Sequence, residues 1–508
     1  MTETFKRAET KSSASAGHTR RPFVLASLVI AMFMAAIEGT IVATAMPNIV
    51  ADLGGFSLYS WVFSAFLLMQ AVTTLIYGKL SDLFGRKPVF LFGVLIFLIG
   101  SILCGFAESM TMLIVFRLLQ GIGAGAVQPI ATTIVGDLYE VRERAKIQGY
   151  LASVWGISAI LGPLAGGLIV QYSDWAYVFW LNVPLGVLGL IGVLIFFRES
   201  VEKEARSIDY VGSALCFIVV SSLMIVFIKS GSDWGLASLP TVMLLFIFVI
   251  SFGLFLAWEK KFPAPMMPLF LWKHRLVALA NIATLTSGMI LIGLSSFLPA
   301  YVQGVMGYSA ITAGFTLTML SVGWPVASTF AGPIFLKIGY RNTAVAGGIA
   351  LLIGSLFFVF LDPENSPVWP GIGSFFTGVG MGLTSTTFIV AVQNSVNWKT
   401  RGVATASNMF MRMLGSSMGA ALLGGLLNAR LRSYLQAHGK QIDENISIDT
   451  ANVLLSGSRN DPFSEQTLQL LENGLTVGLH AVYIGVFVIA AGTFIVTLLL
   501  PKLETQSK

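Results

Sequence analysis

Roughly fourteen stretches of about 20 apolar residues succeed one another along this chain, centred near residues 34, 68, 97, 121, 158, 187, 219, 248, 289, 320, 352, 378, 415 and 488. That pattern leaves few folds open. A hydrocarbon core about 30 Å thick is crossed by about 20 helical residues. No water is available there to satisfy a bare backbone, so stretches of this length must be helices that satisfy their own. Of the 508 residues, 55% are hydrophobic and 11% charged, against about 25% charged in soluble domains. The expectation is an all-α membrane protein with fourteen spans.

The placement of charge tests that count. With the N-terminus inside, 24 of the 31 Lys and Arg residues fall in cytosolic segments and five (Lys229, Arg430, Arg432, Lys440, Arg459) outside. Two, Arg117 and Arg412, stay within helices. Losing one helix would invert every later loop and spoil this inside bias, so both termini are expected in the cytosol and the protein in the cell membrane. The bias also accounts for the net charge of +6 without a nucleic-acid partner. Cys104 and Cys216 both sit in apolar stretches and offer no disulfide framework.

An internal repeat organises the spans. Gly121-Ile-Gly-Ala-Gly125 returns as Gly378-Val-Gly-Met-Gly382, and Gly162 as Gly419, at an offset of 257. The loop segment Gly78-Lys-Leu-Ser-Asp-Leu-Phe-Gly-Arg-Lys87 has a worn copy, Gly332 to Arg341, at 254. The layout expected is a tail (1–21), a six-helix half (22–200), an inserted helix pair (207–260), a second six-helix half (274–500) and a tail (501–508). Within the second half a hydrophilic segment, about 430–475, falls outside, and Asp461-Pro462 reads as the start of the last helix. Parallel halves of this kind are a known transporter plan, with the substrate site between them near the midplane.

Several residues depart from an inert apolar helix. Glu38 is the one carboxylate in the run from Pro22 to Met46. A charge at the bilayer centre costs about 2.5–3.5 kcal/mol on insertion scales, and a group that exchanges a proton there suits an ion-coupled transporter. The plainer alternative is a carboxylate paired with an arginine for structure alone. Arg117, in LIVFRLLQGIGAGAVQP, shares its helix with Gln120 and Gln128. It lies too deep to snorkel comfortably, so it should face water, backbone carbonyls or a carboxylate. In the 78–87 loop, Gly78 and Gly85 permit close approach, and Asp82, Arg86 and Lys87 can form a charge cluster that gates one conformation; the alternative is a solvated positive turn. Gly156, Gly162, Gly166 and Gly167 line the fifth helix around Pro163, a pattern that packs helices closely and kinks one of them. Arg412, in NMFMRMLGSSMG, is a second intramembrane cation, read as a cavity or inter-half pairing residue. Aromatic and Met residues, among them Trp61, Phe66, Trp155 and Met409, could line an adaptable apolar pocket.

Taken in order, these segments resemble the major facilitator superfamily. GKLSDLFGRK is similar to its signature loop, with Ser81 replacing the usual Ala; FRLLQG resembles its Arg-x-x-Gln-Gly element; and Gly156 to Gly167 resembles its antiporter motif. IEGTIVATAMPNI resembles the first-helix motif of the fourteen-helix drug:H+ antiporters, with Glu38 at the Asp position, and Asp209-Tyr-Val-Gly212, Trp175 to Gly186 and the Arg412 element resemble that branch too. The resemblance spans about 22–500. It implies that Asp82 and Arg86 link the halves, and that Glu38, Arg117, Gln120 and Arg412 serve proton coupling or substrate. The worn loop carries Leu336 and Tyr340 at the acid and Arg positions, so it lacks the full charge lock.

The function implied is proton-coupled antiport that exports lipophilic or cationic drugs, antibiotics among them. The alternatives are a dedicated exporter of one metabolite or lipid, and a sensor that no longer transports. A proton gradient replaces any cofactor; the partners are amphiphilic small molecules, protons and the bilayer, and a monomer is expected. Gly415-Ser-Ser-Met-Gly419 fits the hydrolase elbow G-x-S-x-G, but that elbow needs a strand-turn-helix setting with acid and His partners, so no enzyme is expected. No Walker-type phosphate loop is present.

Overall fold

The computed structural model describes residues 20–139, 141–199, 209–230, 238–262, 265, 267, 269–396, 401–438, 446–456 and 463–501. Among these residues fourteen long helices follow one another, the number expected. In the first half they are α1 (Arg21–Leu53), α2 (Tyr59–Phe84), α3 (Arg86–Gly105), α4 (Met110–Leu138), α5 (Val141–Tyr172) and α6 (Ala176–Phe196, broken at Leu181). The inserted pair is α7 (Tyr210–Ser230) and α8 (Leu239–Lys261). The second half holds α9 (Arg275–Gly304), α10 (Ala310–Ile338), α11 (Tyr340–Val359), α12 (Val368–Ser395), α13 (Arg401–His438) and α14 (Glu465–Leu498). All are long and apolar enough to cross a bilayer. The chain doubles back between α2 and α3, and between α10 and α11, on single glycines, Gly85 (φ +95°) and Gly339 (φ +83°). These are equivalent residues of the repeat, and each takes a backbone region that favours glycine.

The two halves pack alike. In the first, α4 lies on α2 and α3, α1 on α5 and α6, and α3 on α6; in the second, α12 lies on α10 and α11, α9 on α13 and α14, and α11 on α14. The glycine repeat shows why. A Cβ at Gly121 would strike the Phe66 carbonyl of α2, and one at Gly378 the Leu320 carbonyl of α10. Between them Gly123 faces the Gly93 carbonyl of α3 and Gly380 the Gly347 carbonyl of α11. Side-chain-free positions on two faces let the fourth helix of each half wedge between two neighbours, the close approach that membrane helices use for association.

Contacts between the halves run α5 to α10, α2 to α13 and α1 to α9, which is what a two-fold exchange of the halves requires. Several sit at the end carrying the α1–α2 turn. There Tyr59 donates from its hydroxyl to the Ser296 carbonyl (2.5 Å), Asn428 Nδ2 donates to the Ser57 carbonyl (2.9 Å), and Gln303 Nε2 donates to the Thr44 carbonyl (3.3 Å). Helix α7 lies against both α2 and α13 along the seam, while α8 packs on α7. Asp209 secures the pair: its Oδ1 accepts from the Gly212 amide at the start of α7 and from Trp258 Nε1 of α8, each at 2.7 Å.

Parts of the hydrophilic segment 430–475 are helical among the described residues. Helix α13 runs on to His438, and α14 starts at Glu465, where Ser464 accepts from the Thr467 amide at 3.3 Å. Ser464 is therefore the cap; Asp461-Pro462 lies outside the described residues. Between the helices a turn (Ile448–Ala451) and a short helix (Asn452–Ser456) settle on α1 and α9, with Asp449 Oδ1 accepting from the Ser57 amide at 2.9 Å.

Candidate functional site

Glu38 sits midway along α1 with none of its surface exposed. A carboxylate taken out of water must be compensated, and here four neighbouring helices supply the compensation. Arg117 of α4, also buried, forms an ion pair from Nη1 to Glu38 Oε1. Asn182 of α6 donates from Nδ2 to the other oxygen, Oε2, at 2.5 Å. The guanidinium has further holders: Nε donates to the Val62 carbonyl of α2 (3.2 Å), and Nη1 donates to Gln120 Oε1 (2.7 Å). The Phe66 ring lies 4.1 Å from Cζ, close enough for a cation–π contact. Gln120 Nε2 and Asn182 Nδ2 both donate to the Ser101 hydroxyl of α3, at 2.7 and 3.3 Å. The network depends on Gly100, where a Cβ would lie 2.6 Å from the Gln120 backbone; only glycine lets α3 and α4 come this close.

The arrangement has two chemical consequences. With Glu38 ionised, the charges cancel inside a dry pocket. With Glu38 protonated, Arg117 still holds a carbonyl, an amide oxygen and an aromatic face, so the cation need not move when its counter-charge disappears. The neighbouring face of α1 is open. Gly39, the next residue, is exposed, and a Cβ added there would meet nothing within 4 Å.

The structure thus brings Glu38, Arg117 and Gln120 together. Arg412 shares none of these contacts; its guanidinium, partly buried on α13, faces the Trp324 ring of α10 at 5.7 Å. Asn182 and Ser101 escaped sequence reasoning. Asn182 had a signal, a lone amide within the apolar WLNVPLG; a serine in a helix has none.

The loop at 78–87 is bolted within its own half. Arg86 Nε pairs with Asp137 Oδ2 at the end of α4 (2.8 Å), and the Arg86 and Lys87 amides donate to Glu199 (2.8 and 2.9 Å). Lys87 Nζ donates to the Leu194 and Phe197 carbonyls at the end of α6 (2.8 and 2.6 Å). Gly78 borders open space. The expected contribution of the Asp82 side chain lies outside the described residues. The worn copy preserves the geometry without the charge. Tyr340 stands where Arg86 does and accepts from Asn394 Nδ2 (2.9 Å), Asn394 being the counterpart of Asp137. Arg341, like Lys87, donates to the end of the sixth helix of its half, at the Leu498 carbonyl (2.8 Å).

Helix α5 is a seam on two sides. Gly162 and Gly166 face Thr40 and Ile41 of α1, whereas Gly167 faces the Ala310 carbonyl of α10 and the Pro163 carbonyl faces Gly314. Gly156 approaches Pro325 of α10.

Comparison with known proteins agrees with this geometry. Residues 28–420 match the Major Facilitator Superfamily. The chain is 37% identical over 423 residues to Multidrug resistance protein 3 of Bacillus subtilis (strain 168), covering 83% of this chain and 80% of that protein. It is 32% identical to Multidrug transporter protein MdtP of the same organism, covering 98% and 96%. Among solved structures, a bacterial homolog of the human lysosomal transporter Spinster, inward-facing and unoccupied, shares the fold at a TM-score of 0.69 and 16% identity, over 94% of this chain and 97% of that one. Two like six-helix halves with an inserted pair, and a sequence matched to this depth, place the chain in one family: it belongs to the Major Facilitator Superfamily.

Proposed function

We propose that the protein is a proton-coupled antiporter that exports lipophilic drugs and toxic amphiphiles across the cytoplasmic membrane. The observation that carries this reading is the ion pair between Glu38 and Arg117, buried midway through the membrane, with neutral groups able to hold the arginine in either protonation state. The printed names of the Bacillus relatives support a drug-export role. In the structure the end bearing the α1–α2 turn is closed, and the reading assigns that end to the outside, with both termini in the cytosol.

Residues divide the work as follows. When the outer end opens, Glu38 takes up a proton as substrate departs, and Arg117 stays on Val62, Gln120 and Phe66. When the inner end opens, the proton leaves and the ion pair re-forms. Arg86 and Lys87 keep the first half rigid, while Asp82 reports the closed inner end to the second half. The seam of α5 on α10 is where the halves rock. A potential of 100 mV supplies about 2.3 kcal/mol per charge and each pH unit about 1.4. One proton at that potential and one pH unit sustains a substrate gradient of roughly several hundred-fold.

The test uses purified protein in liposomes loaded with a pH dye. Adding ethidium, a quaternary ammonium biocide or a fluoroquinolone should move protons against each compound in turn. Silence for all three, from folded protein, would sink the proposal of polyspecific antiport.

A further inference from the structure

Three charges lie deep in the described helices: Glu38 and Arg117 neutralise each other, and Arg412 is left over. Among the described residues Arg412 has no ion pair and no side-chain hydrogen bond; its one contact of note is the Trp324 ring. Its neighbours one turn away are already engaged with α9. Asn408 Nδ2 donates to Asn281 Oδ1 (3.1 Å) and Thr284 Oγ1 (2.9 Å), and Ser416 Oγ donates to the Gly288 carbonyl (3.2 Å). They fix α13 and leave the guanidinium without an acceptor. The Arg412 backbone also meets Gly288 of α9, so the partly buried guanidinium reaches past α9 to the Trp324 ring of α10, with Met409 exposed beside it.

At the offset of 257, Arg412 corresponds to Trp155 of α5. On α5, Gly162 and Gly166 turn toward α1, and Gly156 and Gly167 toward α10; Trp155, seven residues before Gly162, lies on the α1 side two turns away, and its side chain is exposed. Residues related by a two-fold axis along the membrane normal lie at equal depth on opposite sides of it. Depth can be read independently. The Arg412 backbone packs on Gly288, the counterpart (at 252) of Ala36, which places it within one turn of Glu38.

Resting on the export reading above, we infer that Arg412 is a binding residue for the anionic group of substrate, and that the site takes aromatic anions: carboxylate or sulfonate amphiphiles whose ring packs against Trp324. A cationic substrate would pair most simply with the intramembrane carboxylate, Glu38. In the structure that carboxylate is fully covered and spoken for, whereas the unpaired group at the same depth is a cation. A partly buried guanidinium already facing a ring suits a charge-assisted hydrogen bond to an anion on an aromatic body.

Two dyes of one scaffold test this. Fluorescein carries a free carboxylate, and rhodamine 6G carries an esterified one with a net positive charge. Binding of each to the full-length protein in lipid nanodiscs is read by fluorescence polarisation. Wild type should bind fluorescein. Arg412→Gln should weaken fluorescein about tenfold and leave rhodamine 6G within about threefold, the loss expected for one charge-assisted hydrogen bond. Arg412→Lys, which keeps the charge, should recover part of the loss. Absence of fluorescein binding to wild type, an unchanged affinity in Arg412→Gln, or equal losses for both dyes in protein that elutes as wild type would overturn the assignment. The readout is binding, so failed proton exchange in liposomes would count against antiport and leave this result standing.

Discussion

Removing one charge of the Glu38–Arg117 pair should destabilise the protein by about 3–5 kcal/mol, whereas removing both should cost much less. The reason is the pocket. Neither group has more than a trace of exposed surface, so Glu38→Gln leaves the guanidinium on neutral partners alone in the membrane interior, and Arg117→Met leaves a carboxylate without its counter-charge. In the double variant no charge remains to be desolvated. The amide introduced at position 38 would still offer an oxygen toward Asn182, and the thioether side chain at position 117 would fill the space beside Phe66. Unfolding by SDS titration in mixed micelles should therefore show strong non-additivity, the double variant lying above either single one. Simple addition of the two single losses would mean that the pair is solvated in the working protein. Of the two single variants, Arg117→Met should be the worse, because it also strips partners from Gln120 and from the Val62 carbonyl.

The second large effect is conformational. A Cβ on Gly167 would lie 2.7 Å from the Ala310 carbonyl oxygen and 3.0 Å from the Ile311 Cα, all backbone atoms that cannot swing aside. Gly167→Val should force α5 and α10 apart at the end where the halves now touch. Overpacking of this kind costs about 1–3 kcal/mol. If that cost is relieved by rocking the halves, the ratio of closed to open outer end falls by roughly 5- to 150-fold. Spin labels at Tyr172 and Tyr308, both exposed beside this seam, report it as a longer distance in the variant. Gly253→Val is the control, since a Cβ there meets nothing within 4 Å. A distance distribution identical to wild type would show that the seam does not move.

The fold was largely legible because its rules are global. Span length, charge bias and the offset repeat each follow from the bilayer or from duplication, and none needs a side-chain contact. Residues of opposite charge embedded in apolar runs, Glu38 and Arg117, were legible for the same reason, being costly wherever they point. What the sequence left open was pairing. Nothing in the spacing says that the arginine of α4 meets the carboxylate of α1, that Ser101 underlies both amides, or that Arg86 turns to Asp137 and the α3 amides to Glu199. Such contacts depend on helix rotation, which is set by packing. The start of α14 belongs here too: Asp461-Pro462, a good cap by composition, lies outside the described residues, and Ser464 caps the helix.

The account turns on Glu38 being the group whose proton is exchanged for substrate. The most direct test compares two transport modes of Glu38→Gln in liposomes, using protein that elutes as the wild type: energy-independent exchange of labelled substrate, and uphill export driven by an imposed pH gradient. If Glu38 carries the proton, exchange persists while uphill export and its proton movement disappear. Uphill export in the variant with an unchanged proton-to-substrate ratio would contradict the account and move the coupling site elsewhere in the chain.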